Sequence, residues 1–122
     1  MMRWMKGMPA LALLAAAPQA YGYTADGIDY DVACNASGYV LTSKQPVTRM
    51  VPTPVDAEPV VGIETIYLGK SCDAFHALYG TGKWCWANGG FLAEFPRHSF
   101  GFGRQELSCP GDEAYRGNCG CQ

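Results

Sequence analysis

The sequence predicts a mainly β domain, a small antiparallel sheet or barrel with one short helix, stapled by disulfides. Short segments rich in β-branched and aromatic residues are separated by glycine-rich turns, which is typical of small antiparallel sheets and barrels. The chain of 122 residues suffices for one small domain. Its six cysteines, an even number in a short chain, indicate a disulfide framework that supplements a limited core.

The first 22 residues have the order of a secretory signal peptide. Arg3 and Lys6 give a positive start, Gly7–Ala17 is a short apolar run, and small residues follow. This run is too short to cross a membrane and no later one is longer, so we expect no membrane span. We expect a bacterial protein that is secreted or periplasmic. The predicted units are a signal peptide (1–22), a small β-rich domain (23–109) and a Gly/Cys-rich tail (110–122).

The first half of the predicted domain contains a hairpin, a loop and a strand. Tyr30–Cys34 and Tyr39–Ser43 are rich in strand formers, and the turn residues Asn35–Gly38 join them, which predicts a β-hairpin. Val51–Pro59 carries three prolines, so we expect an extended, exposed loop there. Val60–Gly69 has β-branched and aromatic residues throughout and is predicted to be a strand.

The predicted helix covers Ser71–Gly80. Ser71 can cap a helix start, and Gly80 can end the helix. Phe75, Leu78 and Tyr79 fall at helical spacing between them.

The remaining strands are separated by turns. If the segment after the helix is a strand, Trp84 and Trp86 share one face and Cys85 lies on the other. Phe100 and Phe102 likewise share a face of a later strand. Arg104–Cys109 is predicted to complete the last strand.

The spacing of the cysteines limits the disulfides that the tail can form. Only Gly120 separates Cys119 from Cys121, and a bond between the two would be strained. In every other complete pairing, both tail cysteines bond to residues of the body. The tail is therefore predicted to be tied back, although the pairing itself stays open. The other candidates for these bonds are Cys34, Cys72, Cys85 and Cys109.

Charge and motifs exclude several functions. Nine basic side chains, two of them in the predicted signal peptide, face eleven acidic ones, and no basic run survives in the domain. Nucleic-acid binding needs a basic surface, so we expect no nucleic-acid partner. No phosphate loop, nucleophile elbow or zinc-protease motif occurs. We therefore predict a protein that is not an enzyme, with no catalytic residues, no cofactor and no metal.

A small secreted hydrolase remains an alternative. On a helix, Cys72 and His76 would share a face as nucleophile and base. A cleft holding His76 or His98 beside a carboxylate or thiol would also favour an enzyme. Zinc would find sulfur and imidazole ligands in Cys72, His76, Cys119 and Cys121. Disulfide formation in an oxidising compartment competes with every thiol role.

The aromatic residues around Trp84 and Trp86 have two interpretations. Exposed, they form a flat surface for a sugar or a protein partner; buried, they form the core of a small domain. We expect a mixed arrangement, with one tryptophan packed, one at the rim, and Cys85 stapling this hairpin to the tail. The predicted binding residues are Tyr79, Lys83, Trp84, Trp86, Asn88 and Arg104.

The segment IYLGKSCDAFHALYGTGKWCWANGGFLAEF, followed by SFGFGRQELSC, resembles small secreted cysteine-containing bacterial proteins of unassigned function. The resemblance covers about the second half of the domain and implies no activity. Cys85 and the two tail cysteines are additions to the pattern, which implies that Cys85 pairs with the tail.

A second pattern is similar to the Tyr/Gly/Trp/Gly/Ala motif near the end of periplasmic lysozyme inhibitors. That similarity implies a small β-barrel with a cysteine near each end, here Cys34 and Cys109. The chain departs from the motif where Asn88 replaces lysine, where Gly90-Phe91 replaces an acidic pair, and where a further hairpin follows. The residues that carry the pattern are Tyr79, Gly82, Trp86, Asn88, Gly89 and Ala93.

The sequence thus predicts an exported, disulfide-stabilised domain with a non-catalytic binding or structural role. It leaves the partner open: a secreted protein or a cell-wall glycan would suit the aromatic surface. The alternatives are a periplasmic inhibitor of a lysozyme-like cell-wall hydrolase and a small secreted hydrolase.

Overall fold

Ten β-strands form most of the described chain, which comprises residues 22–87, 89–113 and 117–121 of a computed structural model. The strands are β1 (Tyr23–Ala25), β2 (Ile28–Asn35), β3 (Gly38–Ser43), β4 (Val47–Pro52), β5 (Ala57–Gly62), β6 (Thr65–Gly69), β7 (Asp73–His76), β8 (Gly80–Ala87), β9 (Gly90–Phe95) and β10 (His98–Gly103). The predicted signal segment up to residue 21 and the predicted site residue Asn88 lie outside the described residues.

Eight strands form one antiparallel sheet in the order β1-β2-β3-β6-β7-β8-β9-β10. The other two, β4 and β5, form a separate hairpin that lies between β3 and β6 in the sequence. The sheet curls until β1 meets the segment after β10. There the Gln105 side chain substitutes for a neighbouring strand: Thr24 N donates to its Oε1 at 2.7 Å, and its Nε2 donates to Thr24 O at 2.9 Å. This nearly closed barrel confirms the predicted mainly β, antiparallel fold.

Alternating side chains fill the barrel interior. Inward side chains bring rings together in two ways. Phe91 of β9 stacks on Phe102 of the neighbouring β10 at 4.4 Å between centroids, and Tyr39 of β3 lies edge-on to Trp84 of β8 across the interior at 5.6 Å. Aromatic side chains of this size dominate the apolar burial of a small domain. The largest fully buried side chains are Trp84, Tyr30, Tyr39, Phe100, Phe102, Leu41, Ile66, Leu68 and Leu107.

The barrel has two ends, which we name by what lies there. The hairpin end carries the β4–β5 hairpin with the turns at 26–27, 77–79 and 96–97. The tail end carries the β2–β3, β6–β7 and β8–β9 turns together with the chain after β10.

The predicted helix over Ser71–Gly80 is wrong. Asp73–His76 is strand β7, paired with β6 on one side and β8 on the other, and residues 77–79 form a turn. Its side chains alternate, with Ala74 and His76 buried and Phe75 exposed. Two flanking strands give this short segment a full ladder of hydrogen bonds, whereas an isolated helix of its length is marginal in water.

Two strand predictions and one loop prediction also need correction. The last strand ends at Gly103, because Arg104 adopts a left-handed backbone (φ 59°), and residues 105–109 are irregular. The expected loop over Val51–Pro59 is the tip and both arms of the β4–β5 hairpin. The expected strand over Val60–Gly69 is interrupted at Ile63–Glu64, where the chain passes from the hairpin to the barrel. The β2–β3 hairpin is confirmed.

All six cysteines are paired, as Cys34–Cys109, Cys72–Cys119 and Cys85–Cys121. Both tail cysteines therefore bond to the body, as predicted. The tail also extends the sheet beside β8, beyond the start of β7: Trp86 N donates to Cys119 O and Cys121 N donates to Trp86 O, each at 2.7 Å. Gly120 makes a parallel bridge to Trp86 between these bonds. The predicted staple from Cys85 to the tail is confirmed.

Candidate functional site

At the hairpin end, the Glu64 carboxylate is the centre of a buried hydrogen-bond network. Arg49 donates to both oxygens, through Nε and Nη2 at 2.8 Å each, and the Tyr30 hydroxyl donates at 2.5 Å. His76 Nε2 lies 2.8 Å from Glu64 Oε2. Since Arg49 belongs to β4 and the other two donors to the barrel, this network anchors the hairpin to the barrel.

Both ring nitrogens of His76 are engaged. Leu78 N–H donates to Nδ1 at 3.0 Å, so Nδ1 carries no proton and Nε2 donates to Glu64. The ring is 3% exposed and stacks between Tyr79 and Phe100, with centroids 4.5 and 5.6 Å away. This histidine and its carboxylate thus lie beside each other, as the enzyme alternative requires, but their hydrogen bonds serve the fold.

The thiol roles considered for Cys72 are not assembled. Cys72 is bonded to Cys119 and Cys121 to Cys85, and a disulfide sulfur is neither a thiolate nucleophile nor an anionic zinc ligand. His76 lies at the far end of β7 from Cys72. Within the described residues, no three His, Cys, Asp or Glu side chains are grouped as a metal site.

The network fixes the charges at the hairpin end. Burial opposes ionisation of Glu64, but hydrogen bonds from His76, Arg49 and Tyr30 outweigh it and lower the pKa of this carboxyl to about 2. Burial and the adjacent carboxylate raise the pKa of the Tyr30 hydroxyl, and the bond to Glu64 raises the pKa of Arg49. Glu64 is therefore anionic and Arg49 cationic from acidic to alkaline pH.

This network predicts a loss of stability in acid. The pKa of Glu64 falls from 4.5 in an unfolded chain to about 2 in the folded one, so the carboxylate stabilises the fold above pH 4.5. As the pH falls from about 5 to about 2, we expect the free energy of unfolding to drop by about 3 kcal/mol. Urea unfolding across this range measures the drop, and a profile that is flat below pH 5 would contradict the prediction.

His98 lies against the same network. Its ring stacks on Tyr79 at 4.9 Å and meets Phe100 edge-on at 4.5 Å, and its Nε2 is buried without a hydrogen-bond partner among the described atoms. Burial and the nearby Arg49 lower the pKa of His98. The ring is therefore neutral at neutral pH and contributes packing.

The structure brings only part of the predicted binding surface together. Trp84 is 2% exposed and belongs to the core, whereas Trp86 is half-buried, so one tryptophan is packed and one lies at the rim as expected. Tyr79 lies at the hairpin end, far from Arg104 at the tail end. Lys83 is exposed on the outer wall of β8, between its cross-strand neighbours on β7 and β9.

Trp86 and Arg104 meet in a cleft of about 760 Å³ at the tail end, which we call the tail cleft. The β8–β9 turn and the end of β10 form one side, and the chain after β10 forms the other. A cleft of this volume in the mouth of a barrel is within the range of small-molecule sites. The principal lining residues are Trp86, Gly90, Arg104, Glu106, Glu113 and Gly117.

Arg104 holds a conformation that favours glycine. Its φ is 59°, in the left-handed region that costs a side chain of this kind about 1–2 kcal/mol. Its backbone N–H donates to Gly89 O, which ties the end of β10 to the β8–β9 turn. Arg104 lines the tail cleft, and no hydrogen bond or ion pair joins its side chain to another described residue. Strained residues of this sort concentrate at functional sites.

The tail supplies residues that the sequence analysis missed. Glu113 and Gly117 belong to the stretch treated only as a tail. Glu106 also lines the cleft and precedes the tail, in a segment expected to be a strand. Asp112 fixes this region, since it accepts hydrogen bonds from the Tyr39 hydroxyl at 2.7 Å and from Cys109 N at 3.1 Å. The disulfides to the tail were the available signal that this segment lies against β8.

The hairpin end has a different surface. Tyr67 and Phe75 form an exposed cross-strand pair on the outer wall, with ring centroids 6.2 Å apart. Together with Val60 and Ile63 they line a groove of about 320 Å³ between β5 and the barrel. Apolar surface exposed in this way is a common mark of protein–protein contact.

Comparison of the chain with protein-family models, curated proteins and solved structures gave no significant match. Among the described residues, no helix has the length and apolar character to cross a membrane.

Proposed function

We propose that this protein is an exported, non-catalytic binding domain that uses the tail cleft as its binding site. The observation that carries the proposal is the meeting of Trp86 and Arg104 in one cleft. Aromatic and arginine side chains are the types most enriched at binding hot spots. The strained Arg104 also presents its cation without a described partner.

The rest of the domain supports a binding role. Side chains occupy the barrel interior, so a ligand has to bind at an end or on the outer wall. In the His76–Glu64 pair, Glu64 accepts hydrogen bonds from Arg49 and Tyr30, and His76 accepts one from a backbone N–H. Three disulfides suit an oxidising, extracellular environment, which is consistent with the predicted export to the periplasm or medium.

Arg104→Gly tests the proposed site. Glycine adopts the left-handed backbone freely, so we expect the free energy of unfolding to change by less than about 1 kcal/mol. We expect the immobilised wild-type domain to retain lysozyme or purified cell-wall sacculi, and Arg104→Gly to lose at least about 90% of that retention. The bound material should be recovered chemically unchanged.

Arg97→Gly is the matched control. Arg97 is an exposed arginine in the β9–β10 turn at the hairpin end. Within the described part of the chain, its side chain makes a single hydrogen bond, of 3.4 Å, to Leu78 O. It removes the same charge from the opposite end of the barrel and should leave retention unchanged. Equal retention by wild type and Arg104→Gly, or retention of neither probe, would contradict the proposal.

The second candidate is inhibition of a lysozyme-like hydrolase. Three observations favour it: the antiparallel barrel, the Cys34–Cys109 bond between the two cysteines that the resemblance singles out, and the exposed apolar groove at Tyr67 and Phe75. An apolar surface of this kind suits a protein partner better than a polar small molecule.

A turbidity assay distinguishes this candidate. The domain, added to lysozyme in excess, should slow the clearing of a bacterial cell suspension, and Phe75→Ser should relieve the inhibition if the groove contacts the enzyme. Unchanged clearing at every ratio of domain to lysozyme removes the candidate.

A further inference from the structure

We propose that the tail cleft binds a neutral oligosaccharide, with one sugar ring against the Trp86 indole and sugar hydroxyls bonded to Arg104 and Glu113. This inference rests on the proposed function and names the ligand class of the same site. It follows from the mixture of charges in the cleft, from its walls, and from the way the tail holds Trp86.

The charges favour a ligand that both donates and accepts hydrogen bonds. Arg104 can only donate, whereas the carboxylates of Glu106 and Glu113 can only accept. A hydroxyl group does both without carrying charge, and its bonds to charged side chains are about twice as strong as those between neutral groups. A polyanion would meet the Glu113 carboxylate here, and a cationic ligand would meet the Arg104 cation. Sugar hydroxyls can accept hydrogen bonds from the arginine and donate them to the carboxylates.

The walls of the cleft favour a flat, rigid ligand. Gly89, Gly90 and Gly117 line it and present backbone without side chains to the cleft. A pyranose ring has an apolar face of C–H groups that can pack on an aromatic surface while its hydroxyls point outwards. The volume of about 760 Å³ leaves room for a short oligosaccharide.

The tail holds Trp86 in place before a ligand arrives. The backbone N–H and C=O of Trp86 bond to Cys119 and Cys121, and its ring packs against Trp84 with centroids 5.8 Å apart. The neighbouring Cys85–Cys121 bond fastens the tail at this point. Preorganisation of this kind removes ordering costs from binding. The tail therefore builds one side of the cleft and also fixes its aromatic surface.

Calorimetry and tryptophan fluorescence with four trisaccharides test the inference. The neutral probes are the trimers of glucose (β-1,4-linked) and of N-acetylglucosamine, and the charged probes are the trimers of glucosamine and of galacturonic acid. We expect a neutral trimer to bind most tightly and to change the fluorescence. Arg104→Gly and Glu113→Gln should each weaken that binding about tenfold or more, with Arg97→Gly unchanged.

The outcomes separate this inference from the proposed function. If no neutral trimer binds below about 10 mM while lysozyme or sacculi are still retained through Arg104, the sugar assignment is wrong and the site stands. Tighter binding of a charged trimer also overturns the sugar assignment. Glu113→Gln covers the case in which Arg104→Gly does not fold. If neither cleft variant affects any binding, both proposals fall.

Discussion

Replacing Glu64 by glutamine is expected to lower the free energy of unfolding by about 3–5 kcal/mol, because it leaves the buried Arg49 cation without its counter-ion. The side chain of Arg49 is only 13% exposed and that of Glu64 only 4% exposed, so water cannot replace the lost bonds. Glutamine also offers an N–H₂ group where His76 or Arg49 now donates. Urea unfolding at pH 7 measures the loss.

The double variant Glu64→Gln/Arg49→Met is the control for this prediction. Removing both charges should recover part of the loss, since no buried charge is then left without its counter-ion. The acid sensitivity predicted for the wild type should also be much reduced in Glu64→Gln. A loss below about 1 kcal/mol would show that the hairpin does not depend on this network.

Removing the Cys34–Cys109 bond as Cys34→Ser/Cys109→Ala should lower the free energy of unfolding by about 4 kcal/mol. The two residues are 75 positions apart, so the bond closes the longest loop among the three disulfides and restricts the unfolded chain most. Cys109 is also 5% exposed, so its replacement leaves a small defect in the core. Urea unfolding in the absence of reductant measures the loss.

Removal of Cys85–Cys121 provides the comparison. This bond spans 36 residues, so the chain-entropy cost of its loss is similar in size, but it fastens the tail beside Trp86. We therefore expect folded Cys34→Ser/Cys109→Ala protein to keep binding in the tail cleft, and Cys85→Ser/Cys121→Ser to lose it. A change of less than about 1 kcal/mol in the first variant would contradict the account of Cys34–Cys109.

Local patterns were sufficient for the parts of the fold in which neighbouring residues determine the structure. The β2–β3 hairpin has strand formers around Asn35, whose Oδ1 accepts hydrogen bonds from Ser37 N and Gly38 N. Trp84 and Trp86 share one face because residues two positions apart in any strand point to the same side. Ser71–Gly80 was misassigned because its helical spacing is local, whereas the hydrogen bonds that make it a strand come from β6 and β8.

The candidate site was only partly predictable for the same reason. Trp86 and Arg104 were identified by their residue types, and Lys83 and Tyr79 were grouped with them by closeness in sequence. Glu113 reaches the tail cleft only because two disulfides return the tail to the barrel, and six cysteines do not reveal their pairing. No sequence motif marked Glu64, since a single carboxylate between two strands acquires its partners only on folding.

Binding in the tail cleft can be tested by a nuclear magnetic resonance titration that follows the indole N–H signals of Trp84 and Trp86. The probe is the macromolecule, lysozyme or soluble cell-wall fragments, that the immobilised domain retains. We expect the Trp86 signal and the amides of Gly89, Gly90 and Arg104 to shift on binding, while the Trp84 signal does not. Shifts confined to Tyr67, Phe75 and the β4–β5 hairpin would contradict this expectation and would place the binding surface at the hairpin end.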